Sequence, residues 1–149
     1  MNPPLASTKD KLAIEQALLD GTIDCIATDH APHEEKSKEN FETAANGVVG
    51  LETSLACTIT KFYKTNKMSL PKIVNLLSTN PAKILKLKKT GAIKKGWAAD
   101  IILVDLNKKW KVTKDCFLSK SKNSPFIGKT LTAKITHTFC EGKLIYKDI

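Results

Sequence analysis

The chain has 149 residues, of which 42% are hydrophobic and 26% are charged, and it carries a formal net charge of +9 at pH 7. The composition is that of an ordinary globular protein, but the length excludes a complete (β/α)8 barrel, which needs about 200 residues or more. The charge does not indicate nucleic acid as a partner, because the lysines are spread along the chain without a nucleic-acid motif or interleaved aromatic residues.

The first predicted elements are a helix and a strand. Residues 9–19 predict a helix that Ser7 or Thr8 caps and that Gly21 ends. The apolar face of this helix would comprise Ala13, Ile14, Ala17 and Leu18. The short apolar run over residues 23–27 predicts a buried strand, and a helix followed by a buried strand is typical of an α/β protein.

A polar loop and a longer helix are predicted next. Residues 33–46 are polar and charged, which predicts a long loop that ends in a turn at Asn46 and Gly47. Residues 51–64 return to helical periodicity. The apolar stripe of that helix would comprise Leu51, Leu55, Ile59 and Phe62.

Two helices that contain proline follow in the predicted order. Ser69 can cap the first, and Pro71 lies in its first turn, where a missing N–H costs little. Asn80 and Pro81 match an N-cap and the position after it, which predicts that a second helix starts there and covers residues 82–87.

The pattern changes to β structure after residue 90. Residues 100–106 form a β-branched apolar run, which predicts a strand. Residues 134–139 and 143–146 flank Glu141-Gly142, which predicts a hairpin. The sequence therefore predicts a helical part over residues 1–90 and part of a small β-sandwich over residues 91–149.

The cysteines do not indicate a metal site or a disulfide framework. Cys25, Cys57, Cys116 and Cys140 lie far apart and form no C-x-x-C pair, which argues against a structural zinc knuckle. We expect Cys25 and Cys57 to be small buried thiols rather than disulfide partners. Because no apolar run approaches the length of a membrane span and no signal segment is recognisable, we expect a cytoplasmic protein without a membrane partner.

The strongest chemical signal is an octet, residues 26–33, with the sequence Ile-Ala-Thr-Asp-His-Ala-Pro-His. Asp29 ends the predicted strand, and His30 and His33 follow within four positions. Asp and His side chains bind zinc and transfer protons near neutral pH, and barrel active sites lie at the carboxyl ends of strands. The residues alone leave open a capped turn with exposed side chains, and the spacing is not that of a helical H-E-x-x-H zinc protease.

The octet resembles the strand-eight signature of class I dihydroorotases, which belong to the amidohydrolase superfamily. Five other stretches match this family in the same order, namely residues 2–5, 20–24, 47–53, 77–84 and 123–128. The resemblance covers nearly the whole chain but only the last third or so of a family member. It implies the C-terminal part of a (β/α)8 TIM-like barrel over residues 1–90 and the C-terminal part of the β-sandwich over residues 91–149.

The resemblance also implies a reaction and a set of site residues. The reaction would be metal-dependent, reversible hydrolysis of dihydroorotate to N-carbamoyl-L-aspartate in pyrimidine biosynthesis, with one or two Zn²⁺ ions in a complete site. Asp29 would ligate a metal and transfer the proton. His33 and Asn2 would contact the substrate, and Asn46 and Gly47 would lie against its ring. Family members usually have Pro-Phe-Gly where this chain has Ala45-Asn46-Gly47.

The same resemblance raises the question of completeness. Family members take most metal ligands from earlier strands, whereas this chain has three histidines in all, His30, His33 and His137. We therefore expect the chain to be inactive alone, and to associate with itself or with a complementary N-terminal segment.

Two alternatives stay open beside a dihydroorotase. The first is another cyclic amidohydrolase, an allantoinase or a dihydropyrimidinase, although those families usually lack the second histidine of the octet. The second is a non-catalytic dihydroorotase-like subunit that serves as a scaffold for aspartate carbamoyltransferase, which would then be the partner.

Overall fold

The computed structural model describes residues 1–148, with helices first and a sheet after them. The α-helices are α1 (Thr8–Asp20), α2 (Leu51–Thr58), α3 (Leu70–Val74) and α4 (Asn80–Ile84), and the strands are β1 (Ile101–Lys111), β2 (Thr130–Cys140) and β3 (Lys143–Lys147). Short 3-10 turns cover Glu35–Lys38 and Lys114–Cys116. None of the helices in the described part of the chain has the length and hydropathy needed to cross a lipid bilayer.

Helix α1 begins and ends where the sequence predicts, but a different face is buried. Ser7 Oγ accepts from Asp10 N at 3.3 Å, the Asp10 carboxylate accepts from Ser7 N at 3.1 Å, and Gly21 ends the helix with a φ of 91°. The predicted apolar face was wrong for Ala13 and Ile14, which are exposed. The helix instead turns Glu15 inward, where its carboxylate pairs with one lysine of the next helical segment and one lysine of the turn after that segment.

Glu15 forms these ion pairs with Lys61 at 2.6 Å and with Lys67 at 3.5 Å. The hydrogen bond from Lys61 is the main cause that lowers the pKa of the Glu15 carboxyl. Leu18, which follows one turn later on the same face, is buried in the core.

Residues 23–27 do not form a strand among the described residues, so the prediction of a buried strand was wrong. Ile23 N donates to Ala17 O and Ile26 N donates to Leu76 O, both at 3.0 Å. Strand pairing requires the backbone of a neighbouring strand, and here helical segments supply the partners. Ile23 and Ile26 are half-buried against the core that the helices form.

The two later helical segments are continuous across π turns. Helix α2 continues through Ile59–Tyr63, and Asn75–Thr79 joins α3 to α4 without a break. The predicted separate helix over residues 82–87 was therefore wrong, since Asn80 has helical angles, φ −69° and ψ −45°. A proline inside an α-helix clashes with the carbonyl four residues before it, and the wider π turn accommodates Pro81.

The three strands form one antiparallel sheet in the order β1-β2-β3. The predicted hairpin is confirmed between β2 and β3. Its turn residues Glu141 and Gly142 both have positive φ, 49° and 80°, as a two-residue hairpin turn requires. Residues 91–148 contain this single sheet, so the β-sandwich stays a prediction.

Two hydrophobic clusters join the helices to the sheet. The first comprises Leu18, Ile59, Phe62, Met68, Ile73, Leu76 and Ala133, and the second comprises Val49, Ala56, Val112, Phe117 and Leu131. Thr60 Oγ1 also accepts from Thr132 N at 2.8 Å, which bonds the helical segment to β2. Both clusters take residues from each side of position 90, and the division there into two domains stays a prediction.

The four cysteines are free thiols, which confirms the prediction that Cys25 and Cys57 are not disulfide partners. Cys25 and Cys57 are half-buried rather than fully buried. Burial raises the pKa of the Cys57 thiol, so this residue behaves as a packing group.

Candidate active site

Asp29 directly follows residues 23–28 and has an uncommon backbone conformation. Its φ is 47°, in the left-handed region that Asp and Asn tolerate better than most residues, and the residue is exposed. Thr28 Oγ1 accepts from His30 N at 3.3 Å and closes the turn around Asp29. The predicted catalytic carboxylate is therefore presented to solvent at a locally fixed turn.

Two hydrogen bonds hold the octet against residues 47–50. Ala31 N donates to Val48 O at 3.0 Å, within a parallel bridge between His30 and Val48. Gly50 N donates to His30 Nδ1 at 3.1 Å. These bonds place the segment that begins with Gly47 directly beside the residues that follow Asp29.

Gly47 is required by this close approach. Its φ is 123°, and a Cβ at this position would lie 2.5 Å from Ala31 Cβ and 2.7 Å from Ala31 O. Any side chain would displace the two segments from each other. The predicted site residue Gly47 is thus in direct contact with the octet.

The other predicted substrate residues are less constrained. Asn46 is exposed beside Gly47, and His33 is half-buried two positions after Ala31. Asn2 is exposed, and no hydrogen bond within residues 1–148 joins it to the octet. The structure therefore brings Gly47 to the octet, with Asn46 next to it in the chain, and leaves Asn2 unconnected.

A cavity of about 360 Å³ lies away from this site. Its lining includes Ile23, Asp24, Lys72 and Asn80, at the start of the segment that ends in Asp29, and no residue of the 47–50 segment. The cavity therefore lies at the opposite end of this segment from Asp29 and the residues predicted to carry the chemistry.

Comparisons with known proteins place the chain in a family. The model of the amidohydrolase family matches residues 3–145. The chain belongs to the amidohydrolase family.

The relatives of this amidohydrolase chain match nearly all of it. It is 50% identical over 145 residues to a dihydroorotase of Elusimicrobium minutum, a match that spans 97% of the chain and 33% of the relative. It is 45% identical over 149 residues to a dihydroorotase of Listeria monocytogenes, spanning 99% of the chain and 35% of the relative. The chain thus spans about a third of the length of the curated relatives it matches.

A solved structure supports the fold of this amidohydrolase chain. The L-hydantoinase (dihydropyrimidinase) from Arthrobacter aurescens superposes with a TM-score of 0.91 at 31% identity, over 97% of this chain and 33% of that one. This likeness and the family match confirm the α/β class that the sequence predicts.

The described residues of this amidohydrolase chain do not bring a set of metal ligands together. Within residues 1–148, no group of three or more His, Cys, Asp or Glu side chains lies close enough together to hold a metal ion. A catalytic zinc site commonly has three protein ligands, and Asp29 is the one residue of the octet that the family resemblance makes a metal ligand.

Two residues that sequence reasoning missed support the loop beside the octet. Lys38 Nζ donates to Gly47 O at 2.9 Å, and Asn123 Nδ2 donates to the same oxygen at 3.2 Å. Asn123 lies in one of the stretches that resemble the family, but the resemblance did not indicate what this residue does. Lys38 lies in a charged loop and carried no signal that distinguished it from its neighbours.

Proposed function

We propose that this chain forms part of a dihydroorotase, a cytoplasmic enzyme of pyrimidine biosynthesis. The reaction is the reversible hydrolysis of dihydroorotate to N-carbamoyl-L-aspartate. Identity of 45–50% to dihydroorotases over nearly the whole chain supports this substrate. The proposal includes the architecture that the resemblance implies, the last part of a TIM-like barrel followed by part of a β-sandwich.

The observation that carries the proposal is the exposed Asp29 carboxylate beside the 47–50 segment. In hydrolysis, the oxygen of water bonds to the ring carbonyl carbon and the carbon–nitrogen bond breaks. Asp29 would take the proton from the water and return it to the leaving nitrogen, which is general base and then general acid catalysis. Because Asp29 is exposed and sits in a fixed turn, its carboxylate is free to face a bound substrate.

The substrate contacts form the second part of the proposal. Dihydroorotate carries a carboxylate, and a histidine can donate a charge-assisted hydrogen bond to such a group, which is the role proposed for His33. Asn2 would supply an amide that both donates and accepts. Asn46 and Gly47 would lie against the ring, where the absence of a side chain at Gly47 permits a close approach.

A zinc centre with Asp29 as one ligand belongs to the proposal. Residues 1–148 bring no group of three potential ligands together, so the other ligands of one or two Zn²⁺ ions would come from protein outside them. A complementary N-terminal segment would be the partner that supplies these ligands, and a second copy of the chain is the other partner proposed.

A second candidate function is hydrolysis of a hydantoin or dihydropyrimidine ring. The superposition on the L-hydantoinase, with a TM-score of 0.91, favours it. A non-catalytic subunit bound to aspartate carbamoyltransferase is a third candidate. His33 favours a dihydroorotase, because an anionic substrate gives this histidine a partner that an uncharged ring lacks.

The test uses what we call the complemented enzyme. It consists of the 149-residue chain combined with the part of the Listeria monocytogenes dihydroorotase that the match leaves uncovered, supplied with zinc. Dihydroorotate, hydantoin, dihydrouracil and allantoin are compared as substrates. We expect the highest kcat/KM for dihydroorotate. Preference for hydantoin or dihydrouracil would support the second candidate, and no turnover together with binding to aspartate carbamoyltransferase would support the third.

A further inference from the structure

One lysine, Lys38, holds the backbone on both sides of Asn46. Lys38 Nζ donates to Ala45 O and to Gly47 O, the carbonyl groups on either side of Asn46. Lys38 is half-buried, and an ammonium group has three donors in a compact arrangement, so it can hold two carbonyls at once. Hydrogen bonds from a charged donor are roughly twice as strong as neutral ones.

Asn123 forms two further hydrogen bonds to the same loop. Its Nδ2 donates to Gly47 O at 3.2 Å, and its backbone carbonyl accepts from Val49 N at 2.9 Å. Gly47 O therefore has two donors, Lys38 and Asn123, which matches the two lone pairs of a carbonyl oxygen. The next carbonyl, Val48 O, accepts from Ala31 N of the octet.

These bonds fix residues 45–50 relative to the octet in a chain of contacts. Lys38 and Asn123 hold Gly47, Gly47 contacts Ala31, and Ala31 follows Asp29 by two positions. Exposed loops without such bonds open at little cost in free energy. The contacts give this loop a defined position, which a substrate-binding segment needs because a misplacement of about 1 Å can cost 10²-fold in rate.

We propose that Lys38 and Asn123 are positioning residues that hold Asn46 and Gly47 in place for the ring of the substrate. The inference rests on the proposed function for the identity of that substrate, but the positioning itself is a property of the loop. Neither residue needs to touch the substrate in this role.

Hydrogen exchange on the 149-residue chain tests the positioning without any need for activity. Lys38→Met removes the donor and keeps an unbranched apolar stem, and Asn123→Asp keeps the shape and removes the donor to Gly47 O. Lys36→Met is the matched control, because Lys36 is exposed in the same 3-10 turn and its side chain makes no hydrogen bond within residues 1–148.

We expect the amides of Ala31, Val49 and Gly50 to exchange about tenfold faster in Lys38→Met and Asn123→Asp, with the amides of β2 unchanged. Lys36→Met should exchange like the wild type, and Lys38→Arg, which keeps a cationic donor, should restore most of the protection. Wild-type exchange at these amides in both variants would overturn the proposal. Equal acceleration in Lys38→Arg and Lys38→Met would also overturn it. So would faster exchange of the β2 amides in these variants, because that would show a loss of global stability instead of a loss of positioning.

Kinetics of the complemented enzyme test the link to substrate. Lys38→Met should raise KM for dihydroorotate about tenfold while kcat stays within about twofold, because the chemical groups are unchanged. An unchanged KM, in a variant whose amides exchange faster, would show that the loop does not serve the substrate. If the wild-type complemented enzyme does not hydrolyse dihydroorotate, the proposed function fails, and the exchange experiment still decides the positioning.

Discussion

The backbone N–H of Gly50 donates to Nδ1 of His30 at 3.1 Å, so the histidine next to Asp29 is bonded to the start of helix α2. A neutral imidazole that accepts at Nδ1 carries its proton on Nε2. The resemblance to dihydroorotases left His30 without a role. The structure assigns it a structural one, since its ring holds the turn of Asp29 beside the 47–50 segment.

The first prediction follows from this bond. His30→Phe keeps a ring of similar size but leaves the Gly50 N–H without its acceptor, so we expect the variant to lose about 1–3 kcal/mol of unfolding free energy. His30→Asn offers an oxygen acceptor and should lose less. Urea unfolding measures the loss, and exchange of the Gly50 amide localises it. Equal stability of His30→Phe and the wild type would show that the bond contributes nothing.

The second prediction concerns Asp29. Asp29→Asn in the complemented enzyme should lower kcat by about 10²–10⁴-fold, because an amide cannot accept and return the proton. The fold should survive, since Asn also tolerates the left-handed conformation with a φ of 47°. Asp24→Asn is the control, because Asp24 is exposed at the other end of the same segment. Near wild-type kcat with full metal content in Asp29→Asn would remove Asp29 from the mechanism.

The third prediction separates two roles for His33. If this histidine contacts the carboxylate of the substrate, His33→Ala should raise KM for dihydroorotate by about 10- to 100-fold, the loss expected for a charge-assisted hydrogen bond. The zinc content of the complemented enzyme should stay unchanged. A variant that loses zinc and binds substrate normally would identify His33 as a metal ligand instead.

Local rules predicted those features of the fold that depend on neighbouring residues. The Ser7 cap and the Glu141-Gly142 turn were predictable, because a cap or a tight turn is decided within four residues. The inward face of α1 was not, because Glu15 is buried by lysines that lie about fifty positions away. The continuation of the helix through Pro81 was not predictable either. A proline usually marks the first turn of a new helix, whereas here the π turn over Asn75–Thr79 lets the existing helix continue past it.

In the candidate site, too, the features set by neighbouring residues were predictable and those set by distant contacts were not. The octet and Gly47 were predictable from their own residues and from the family resemblance. Asn123 meets Gly47 across 76 positions of sequence, and nothing in its local pattern indicates that contact. Residues 23–27 were predicted as a strand from their apolar character, but the described residues supply helical partners for that segment instead of a strand.

The fourth prediction is a dependence of stability on pH at Asp148. Hydrogen bonds from Lys108 and then Lys134, at 2.7 and 2.6 Å, lower the pKa of its carboxyl from 3.8 to about 2. A depressed pKa in the folded state stabilises the protein above the unfolded pKa, and this contribution is lost as the pH falls from about 4 to about 2.

Asp148→Asn should therefore cost about 1 kcal/mol at pH 7, a value reduced for solvent screening because Lys108 is well exposed. The difference from the wild type should shrink as the pH falls below 4. Asp115→Asn is the control, because Asp115 is exposed and forms no ion pair within residues 1–148. Urea unfolding between pH 2 and pH 7 measures the effect, and a constant difference across that range would contradict it.

The fifth prediction is that the 149-residue chain alone does not hydrolyse dihydroorotate, even with zinc. Its sequence has three histidines, and His30 Nδ1 already accepts from Gly50 N, while His137 lies in β2. One carboxylate, Asp29, cannot both hold a metal ion and leave an oriented water, because a catalytic zinc commonly needs three protein ligands. A dihydroorotate assay on zinc-supplemented chain, with Asp29→Asn as the control for contaminating host enzyme, measures this. Turnover that the Asp29→Asn variant lacks would show that the chain carries a complete active site.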